Sequence, residues 1–517
     1  MSHSELSLFI SFYYPYITRL LITKSLSFHM DHIHICDNNE HDKEATPGGW
    51  SPILLLTALT CGIGSTLPAG YNIGVINNPR IIMQEFCNVT FQERYNYQLS
   101  SGQMNVIWSA VVSIFLIGGV TGSLSAGWFA DKLGRKGALA IGNICGIVGA
   151  IFFISVKAAK SVEVLMVGRL VVGLSGGLAT SLVPMYLMEV APLRLRGAIG
   201  VVCQVGITSG VLIGQIASLS YTLGTEELWH IMLATFSPLC LISLGFLFIL
   251  PESPKYLYVI KCQEEKAIKA LSRLRNTDRS LLGYEIANLD QEAVASKRTQ
   301  AWTIGRILKD PTVRLPLILV CSMQAGQQFS GVNAVFFYSN IIFTQAGLDD
   351  TASQYATLGT GVINAGMAMV AVLLMSSFGR RTLFLLSCYL CTGCLIVLCI
   401  SIVFINSAAA MPALCIIAVL AYVLFYGVGL GPIPYFIGSE LFDVGPRPAA
   451  MALGSVSNWG ANFIVAMTFP SVQSAIGPYS FLIFAGFTTL LAVSYTIYTL
   501  DISATMTRGF NSRPNQM

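Results

Sequence analysis

Charge is the scarce commodity in this chain. Only 11% of its 517 residues are Asp, Glu, Lys or Arg, against roughly 25% in soluble domains, while 54% are hydrophobic. That excludes an ordinary soluble globular protein and leaves a polytopic membrane protein embedded in a lipid bilayer. The net charge of +4 is too small to point to nucleic acid. Histidine is rare, with six residues in all, and the thirteen cysteines form no framework of spacings. Cys388, Cys391 and Cys394 have the C-x-x-C-x-x-C look of a metal site. They ride on an apolar stretch without His or carboxylate nearby, so they read as small buried hydrophobes, and no metal or cofactor is expected. No nucleophile elbow or phosphate loop stands at a credible place, which makes an enzyme the least favoured class.

Long apolar runs, by contrast, are plentiful. About twelve of spanning length fall near 52–74, 106–130, 137–157, 164–188, 197–220, 229–250, 314–338, 355–376, 382–405, 412–438, 448–471 and 477–499. Basic residues sit in alternate loops: Lys132, Arg135 and Lys136, then Arg194 and Arg196, Lys255 and Lys261, Arg380 and Arg381, and Arg447. The positive-inside rule therefore places those loops and both termini in the cytosol. The sequon Asn88-Val-Thr90 lies in the long loop after span one, which this topology makes extracellular, so Asn88 is the expected glycosylation site.

The chain divides into an extension (1–48), a six-span half (49–250), a polar cytosolic linker (251–312), a second six-span half (313–499) and a short cytosolic tail (500–517). In the extension, Leu6 to Thr23 is too short and too interrupted for a span, and Met30 opens a polar stretch that suits a cytosolic start. Either translation starts at Met30 or the segment is a peculiar extension, and a peptide from residues 1–29 would overturn the first. In the linker, Ala267, Ile268, Leu271 and Leu274 follow helical spacing, which predicts short amphipathic helices covering the inner ends of the bundle.

Three marker sets recur between the halves. Gly70-Tyr-Asn72 is answered by Gly331-Val-Asn333. The loop from Gly127 to Lys136 is answered by Gly379-Arg-Arg381. Glu189 precedes Arg196 by seven positions, and Glu440 precedes Arg447 by seven. Such a duplication is the pattern of a secondary transporter. Paired acids and bases at the inner ends of both halves (Asp131, Arg135, Glu189, Arg196, Arg380, Arg381, Glu440 and Arg447) read as an ion-pair lattice that closes the cytosolic side. Gly427, Gly429 and Gly431, then Pro432 and Pro434, predict a break in span ten that acts as a gate.

The stretch from Gln324 to Asn333 concentrates the polarity of span seven. Gln324, Gln327 and Gln328 fall on nearly one helical face, with Asn333 beyond them and Phe336 and Tyr338 following. Unpaired amides are expensive in hydrocarbon, so they face a cavity or another helix. Helix–helix bonding is one use of such groups. Binding a neutral polyhydroxyl ligand is the other, and four amides beside aromatics favour it.

These residues carry a resemblance. Gly168-Arg169, the Asp131–Lys136 loop, Pro251-Glu-Ser-Pro-Lys255, Gln327 to Asn333 and Gly445-Pro-Arg-Pro448 look like the sugar-porter branch of the major facilitator superfamily. Over roughly 50–499 the chain resembles animal facilitative hexose transporters of the glucose-transporter type. The resemblance implies an all-α major facilitator fold of twelve transmembrane helices in two six-helix halves. It implies hexose uniport, glucose first, by alternating access at the plasma membrane. It implies sugar contacts from Gln204, Gln324, Gln327, Gln328, Asn333, Asn364 and Asn458, an apolar wall at Ile207, and gating by Phe336 and Tyr338. Proton-coupled relatives carry an aspartate where Asn72 stands on span one. Asn72 cannot titrate, which favours uniport.

Three departures bear on substrate. Glucose-selective relatives have glutamate at the position of Gly427 and tryptophan at that of Tyr435, whereas fructose-preferring relatives lack both. An acid before Gly379-Arg-Arg381 is replaced by Ser376-Ser377, and the motif that follows span twelve in relatives is absent. The expectation is a lattice with fewer partners. A fructose or polyol carrier, a proton symporter and a sugar sensor remain the alternatives.

Overall fold

The computed structural model describes residues 49–298, 304–345, 347–442 and 446–511; the side chains of Ser376, Ser377, Glu440 and Arg447 lie outside the described set. The expectations for residues 1–48 fall outside it as well. Helices account for all the regular structure among the described residues. In the first half these are α1 (Pro52–Gly74), α2 (Arg80–Tyr95), α3 (Ser101–Ala159), α4 (Val162–Val190), α5 (Val202–Ala217) and α6 (Trp229–Ile249). The linker carries α7 (Glu264–Arg275), α8 (Gly283–Arg298) and α9 (Ile304–Lys309). The second half comprises α10 (Pro311–Phe329), α11 (Val332–Gln345), α12 (Asp350–Ser377), α13 (Arg380–Val403), α14 (Met411–Val428), α15 (Ile433–Leu441), α16 (Arg447–Ile476) and α17 (Ser480–Asn511).

Among the described residues, eight helices are long and apolar enough to cross a membrane. Two of them, Ser101–Ala159 and Ala449–Ile497, hold two passes each, so the eight supply ten passes. The short α5 and the broken pair α10–α11 supply the other two. Within α3 the passes meet at Gly134, whose φ of 83° and ψ of 172° suit glycine alone. A Cβ there would also sit 2.4 Å from Glu252 Oε2.

Two helices pack backbone to backbone. α5 carries Gly206, Gly210 and Gly214 at four-residue spacing, the small-residue pattern that lets membrane helices approach closely. A Cβ at Gly70 of α1 would fall 1.9 Å from Ile207 O, and one at Gly210 would fall 2.1 Å from Leu67 O. α1 itself widens into a π turn over Gly62–Thr66.

Two expectations need correction. Span seven is not one helix over 314–338: it breaks between Phe329 and Val332, where Gly331 takes φ 89° and any side chain would strike the Phe484 ring at 2.5 Å. The segment after span one is not a loop but the 16-residue helix α2, so the Asn88 sequon is helical, with Thr90 buried. The spacing-based reading of the linker agrees with the structure. Ala267, Ile268, Leu271 and Leu274 are the buried face of α7. That helix is tied to the bundle by Ser51 Oγ donating to Leu274 O at 2.6 Å and Arg275 Nη1 donating to Val190 O at 2.9 Å. We call this end of the bundle the linker face and the opposite end the far face.

Candidate functional site

A cavity lies between the halves. From the first half it is walled by Ala69 and Ile73 of α1, Thr180 of α4, and Gln204, Ile207, Thr208 and Val211 of α5. From the second come Gln328, Val332, Asn333, Phe336, Asn364, Tyr426, Tyr435, Asn458, Trp459 and Asn462. None of these residues is charged. Neutral amides, two phenols and apolar walls suit an uncharged ligand rich in hydroxyls.

The amides do not all point at that space. Gln324 Nε2 donates to Pro434 O at 2.9 Å, and Gln327 Nε2 donates to Gly431 O at 2.6 Å and Leu430 O at 3.1 Å. The Leu430 and Gly431 carbonyls lie in the gap between α14 and α15 and Pro434 O in the first turn of α15, where Pro432 and Pro434 withdraw backbone donors. Ser387 closes the rest of the gap, donating to Phe425 O at 2.7 Å and accepting from Leu430 N at 3.0 Å. The predicted break in span ten is therefore present, and two of the span-seven glutamines brace it. Neither Gln324 nor Gln327 lines the cavity.

Asn458 connects the brace to the cavity. Its Nδ2 donates to Gln327 Oε1 at 2.7 Å and Gln324 Oε1 at 2.9 Å, while its Oδ1 accepts from Gln328 Nε2 at 3.1 Å. Asn333 Nδ2 donates to Gln328 Oε1 at 2.6 Å. Gln204 and Asn364 line the same space, and among the described residues their side-chain amides make no hydrogen bond.

Of the gating residues, Phe336 and Tyr435 line the cavity. Tyr338 is set back: it is buried, with its hydroxyl donating to Ala466 O at 3.1 Å. Gly427 also lies behind the wall, and the space its side chain would fill holds Met367 Cβ, 2.6 Å from the ideal Cβ position. Asn72 is fully buried away from the cavity, where Nδ2 donates to Pro68 O at 2.9 Å in its own helix. Its carbonyl accepts from Arg169 Nη1 at 2.9 Å. Arg169 is fully buried, with its guanidinium 4.7 Å from the Phe115 ring centroid.

The halves are joined by hydrogen bonds at the far face. Asn77 Nδ2 donates to Ser339 Oγ at 2.6 Å, Gln215 Nε2 to Thr360 Oγ1 at 3.4 Å, and Ser220 N to Gln354 Oε1 at 3.1 Å.

At the linker face three of the sequence-predicted charges of the first half meet. Arg135 forms a two-pronged bond with Glu189, both prongs at 2.8 Å, and reaches Asp131 at 3.6 Å. Arg380 Nη1 donates to Met375 O at 2.7 Å, and Arg196 and Arg381 are exposed. The side chains of Glu440 and Arg447 lie outside the described residues. A further acid joins the first-half cluster. Glu252 accepts from the backbone N–H groups of Arg135 (3.1 Å), Lys136 (3.3 Å) and Ser253 (2.9 Å), capping the second pass of α3 where it restarts after Gly134. Burial pushes the Glu252 carboxyl above its ordinary range, against the pull of those three donors.

Residues 57–512 match the family model described as sugar (and other) transporter. The chain belongs to this transporter family. It is 40% identical over 438 residues to the rat solute carrier family 2, facilitated glucose transporter member 3, covering 84% of this chain and 88% of that one. It is 39% identical over 480 residues to mouse member 4 of the same carrier family, covering 92% of each. Among solved structures, the xylose transporter XylE from E. coli, in a partially occluded inward-open conformation, superposes with a TM-score of 0.70 at 22% identity. That match covers 86% of this chain and 97% of that one. XylE bound to 6-bromo-6-deoxy-D-glucose gives 0.72 at 23%, covering 85% and 94%. The likeness shows the major facilitator fold, an all-α multi-pass membrane protein of twelve helices in two halves.

Within this family frame, the polar cavity residues that were not anticipated are Thr180, Thr208, Tyr426, Trp459 and Asn462. Asn462 carried a usable signal, since it stands four positions, about one helical turn, beyond Asn458. Tyr426 stands one position before Gly427. Thr180, one hydroxyl in an apolar helix, carried none.

Proposed function

We propose that this protein is a facilitative hexose transporter that moves sugar, glucose first, down its gradient by alternating access. The observation that carries the reading is the uncharged cavity between the halves, where amides from α5, α10, α11, α12 and α16 converge. Sugar hydroxyls both donate and accept, as amides do, and the absence of charge among the lining residues disfavours an ionic substrate. The names of the family members above, facilitated glucose transporters, point the same way. Uniport is the proposed mode. Coupling to protons needs a group at substrate level that titrates at ordinary pH, and no carboxylate or histidine lines the cavity.

In this reading Gln204, Gln328, Asn333, Asn364 and Asn458 contact sugar, with Ile207 as an apolar wall. Gln324 and Gln327 act through Asn458 and the brace. Phe336 and Tyr435 gate directly, Tyr338 and the Gly427–Pro434 break gate by backing them, and Asn72 keeps the Arg169 pocket free of a titrating acid. The linker-face charges release and re-form as the halves rock. The linker face is proposed to be cytosolic, with both termini on that side, in the plasma membrane. The basic loops and the Asn88 sequon at the opposite end support that orientation.

Gly427 and Tyr435 favour a second reading, a carrier that prefers fructose or a polyol. Uptake of labelled glucose, fructose, galactose and ascorbate into proteoliposomes, with and without a pH gradient, separates the two. Hexose uptake insensitive to the gradient and reduced by Gln328→Leu is expected. Gradient-driven accumulation, or full uptake by both Gln328→Leu and Gln327→Leu, would overturn the proposal.

A further inference from the structure

Several polar groups around the cavity are occupied, while the unpaired amides of Gln204 and Asn364 are not fully enclosed. Gln328 and Asn458 bond each other and the brace. Thr180 Oγ1 donates to Gly177 O at 3.2 Å, and Thr208 Oγ1 to Gln204 O at 3.0 Å. Asn462 differs. It is 3% exposed, it lines the cavity, and its Oδ1 is buried without any hydrogen-bond partner. Among the cavity-lining residues it holds the one buried side-chain oxygen in that condition.

Its direction is set by its neighbours. Asn462 follows Asn458 on α16 by four residues, so it shares that face and stands ~6 Å further along the helix, toward the far face. Between them Trp459 pins the helix to the first half. Its ring meets Phe115 edge-on at 5.8 Å between centroids, and it fills the space beside Gly119, where a Cβ would fall 2.4 Å from the indole. With α16 held in this rotation, the Asn462 amide stays at the cavity wall. A buried acceptor left unpaired is disfavoured, and a donor entering the cavity relieves it.

We propose that Asn462 is a sugar-binding residue that discriminates among hexoses: its Oδ1 accepts a hydrogen bond from one hydroxyl of the transported sugar. This rests on the hexose-transport reading above and adds a contact to it. A hexose lacking a donor at that carbon, or presenting it in the opposite configuration, leaves the acceptor unpaired and binds more weakly.

The test uses the full chain in proteoliposomes, with monodeoxy and deoxyfluoro glucoses competing against labelled glucose. Asn462→Leu, of similar volume, should weaken glucose binding roughly two- to tenfold, the worth of one neutral hydrogen bond. It should leave unchanged the affinity for the single deoxy sugar that lacks the matching hydroxyl. The fluoro analogue at that carbon, which accepts but does not donate, should behave like the deoxy sugar. Asn462→Thr, which keeps an oxygen acceptor, should recover part of the loss and serves if the leucine variant misfolds. Unchanged glucose affinity in both variants, or an equal loss for every deoxy sugar, would overturn the assignment while hexose transport stands. A wild-type protein that moves no hexose would overturn the transport reading, and this contact with it.

Discussion

Replacing Gln324 and Gln328 by leucine separates the brace from the binding wall. Gln324→Leu removes the donor to Pro434 O (2.9 Å) and the acceptor for Asn458 Nδ2 (2.9 Å). Asn458 Nδ2 keeps Gln327 Oε1 at 2.7 Å and Gln324 O at 3.2 Å, so the loss falls on the bond to the Pro434 carbonyl in the first turn of α15. One neutral hydrogen bond is worth about 0.5–1.5 kcal/mol. If that appears in the unfolding rate, inactivation in detergent accelerates roughly 2- to 13-fold. The side chain does not line the cavity, so KM for hexose should stay within about twofold, the lower edge of one hydrogen bond's worth. Gln328→Leu should raise KM roughly two- to tenfold; it also strips Asn333 Nδ2 and Asn458 Oδ1 of a buried partner, so its lifetime falls too and KM is the readout that separates the two variants. The assay pairs initial-rate uptake in proteoliposomes with the half-life of monodisperse protein at fixed temperature. Should Gln324→Leu raise KM as far as Gln328→Leu while its half-life stays at the wild-type value, Gln324 contacts sugar directly and the brace is the wrong account.

Gly134→Ala should destabilise by about 1–3 kcal/mol from backbone conformation alone, and more because the methyl meets Glu252; a wild-type melting temperature would refute this. Asn72→Asp puts a buried carboxyl on the residue whose backbone carbonyl Arg169 bonds, so uptake should become pH-dependent where the wild type is flat. A flat profile in the variant would break the link between that position and coupling. Glu252 gives a signed pH effect. Its native pKa is raised by burial, so its contribution to stability is full below about 4.5 and is lost as pH rises through the native value. The melting temperature of the wild type relative to Glu252→Gln should therefore fall as pH increases across that window; a constant difference would argue against a buried, titrating carboxyl.

Much of the architecture was legible because a bilayer demands it. A hydrocarbon layer about 30 Å thick requires runs of about twenty apolar residues, and such runs are visible without an alignment. The span-ten break was legible too, since two prolines and three glycines in eight positions cannot sustain a helix. The span-seven break was not. A single Gly331 in an apolar run reads as tolerated, and the Phe484 ring that leaves no room for a side chain there lies about 150 residues away. The division of labour among the glutamines was equally hidden. An amide donating to a sugar and one donating to a freed carbonyl look identical in sequence, and only the packing of α10 against the α14–α15 gap tells them apart. Glu252 was quoted in a motif, but its target is a helix start that exists only after α3 folds back.

The glycine contact between α1 and α5 has a consequence for discrimination. With backbones this close, the two helices have no slack to slide or splay, so Ala69, Ile73, Gln204 and Ile207 form a rigid template. The opposite wall hangs on two interrupted helices, α10–α11 and α14–α15, whose ends are held by side-chain bonds. Shape selection then falls to one jaw of a caliper and accommodation to the other. Substitutions that change which sugars fit by size should cluster on α1 and α5, while those that change turnover should cluster around the two breaks.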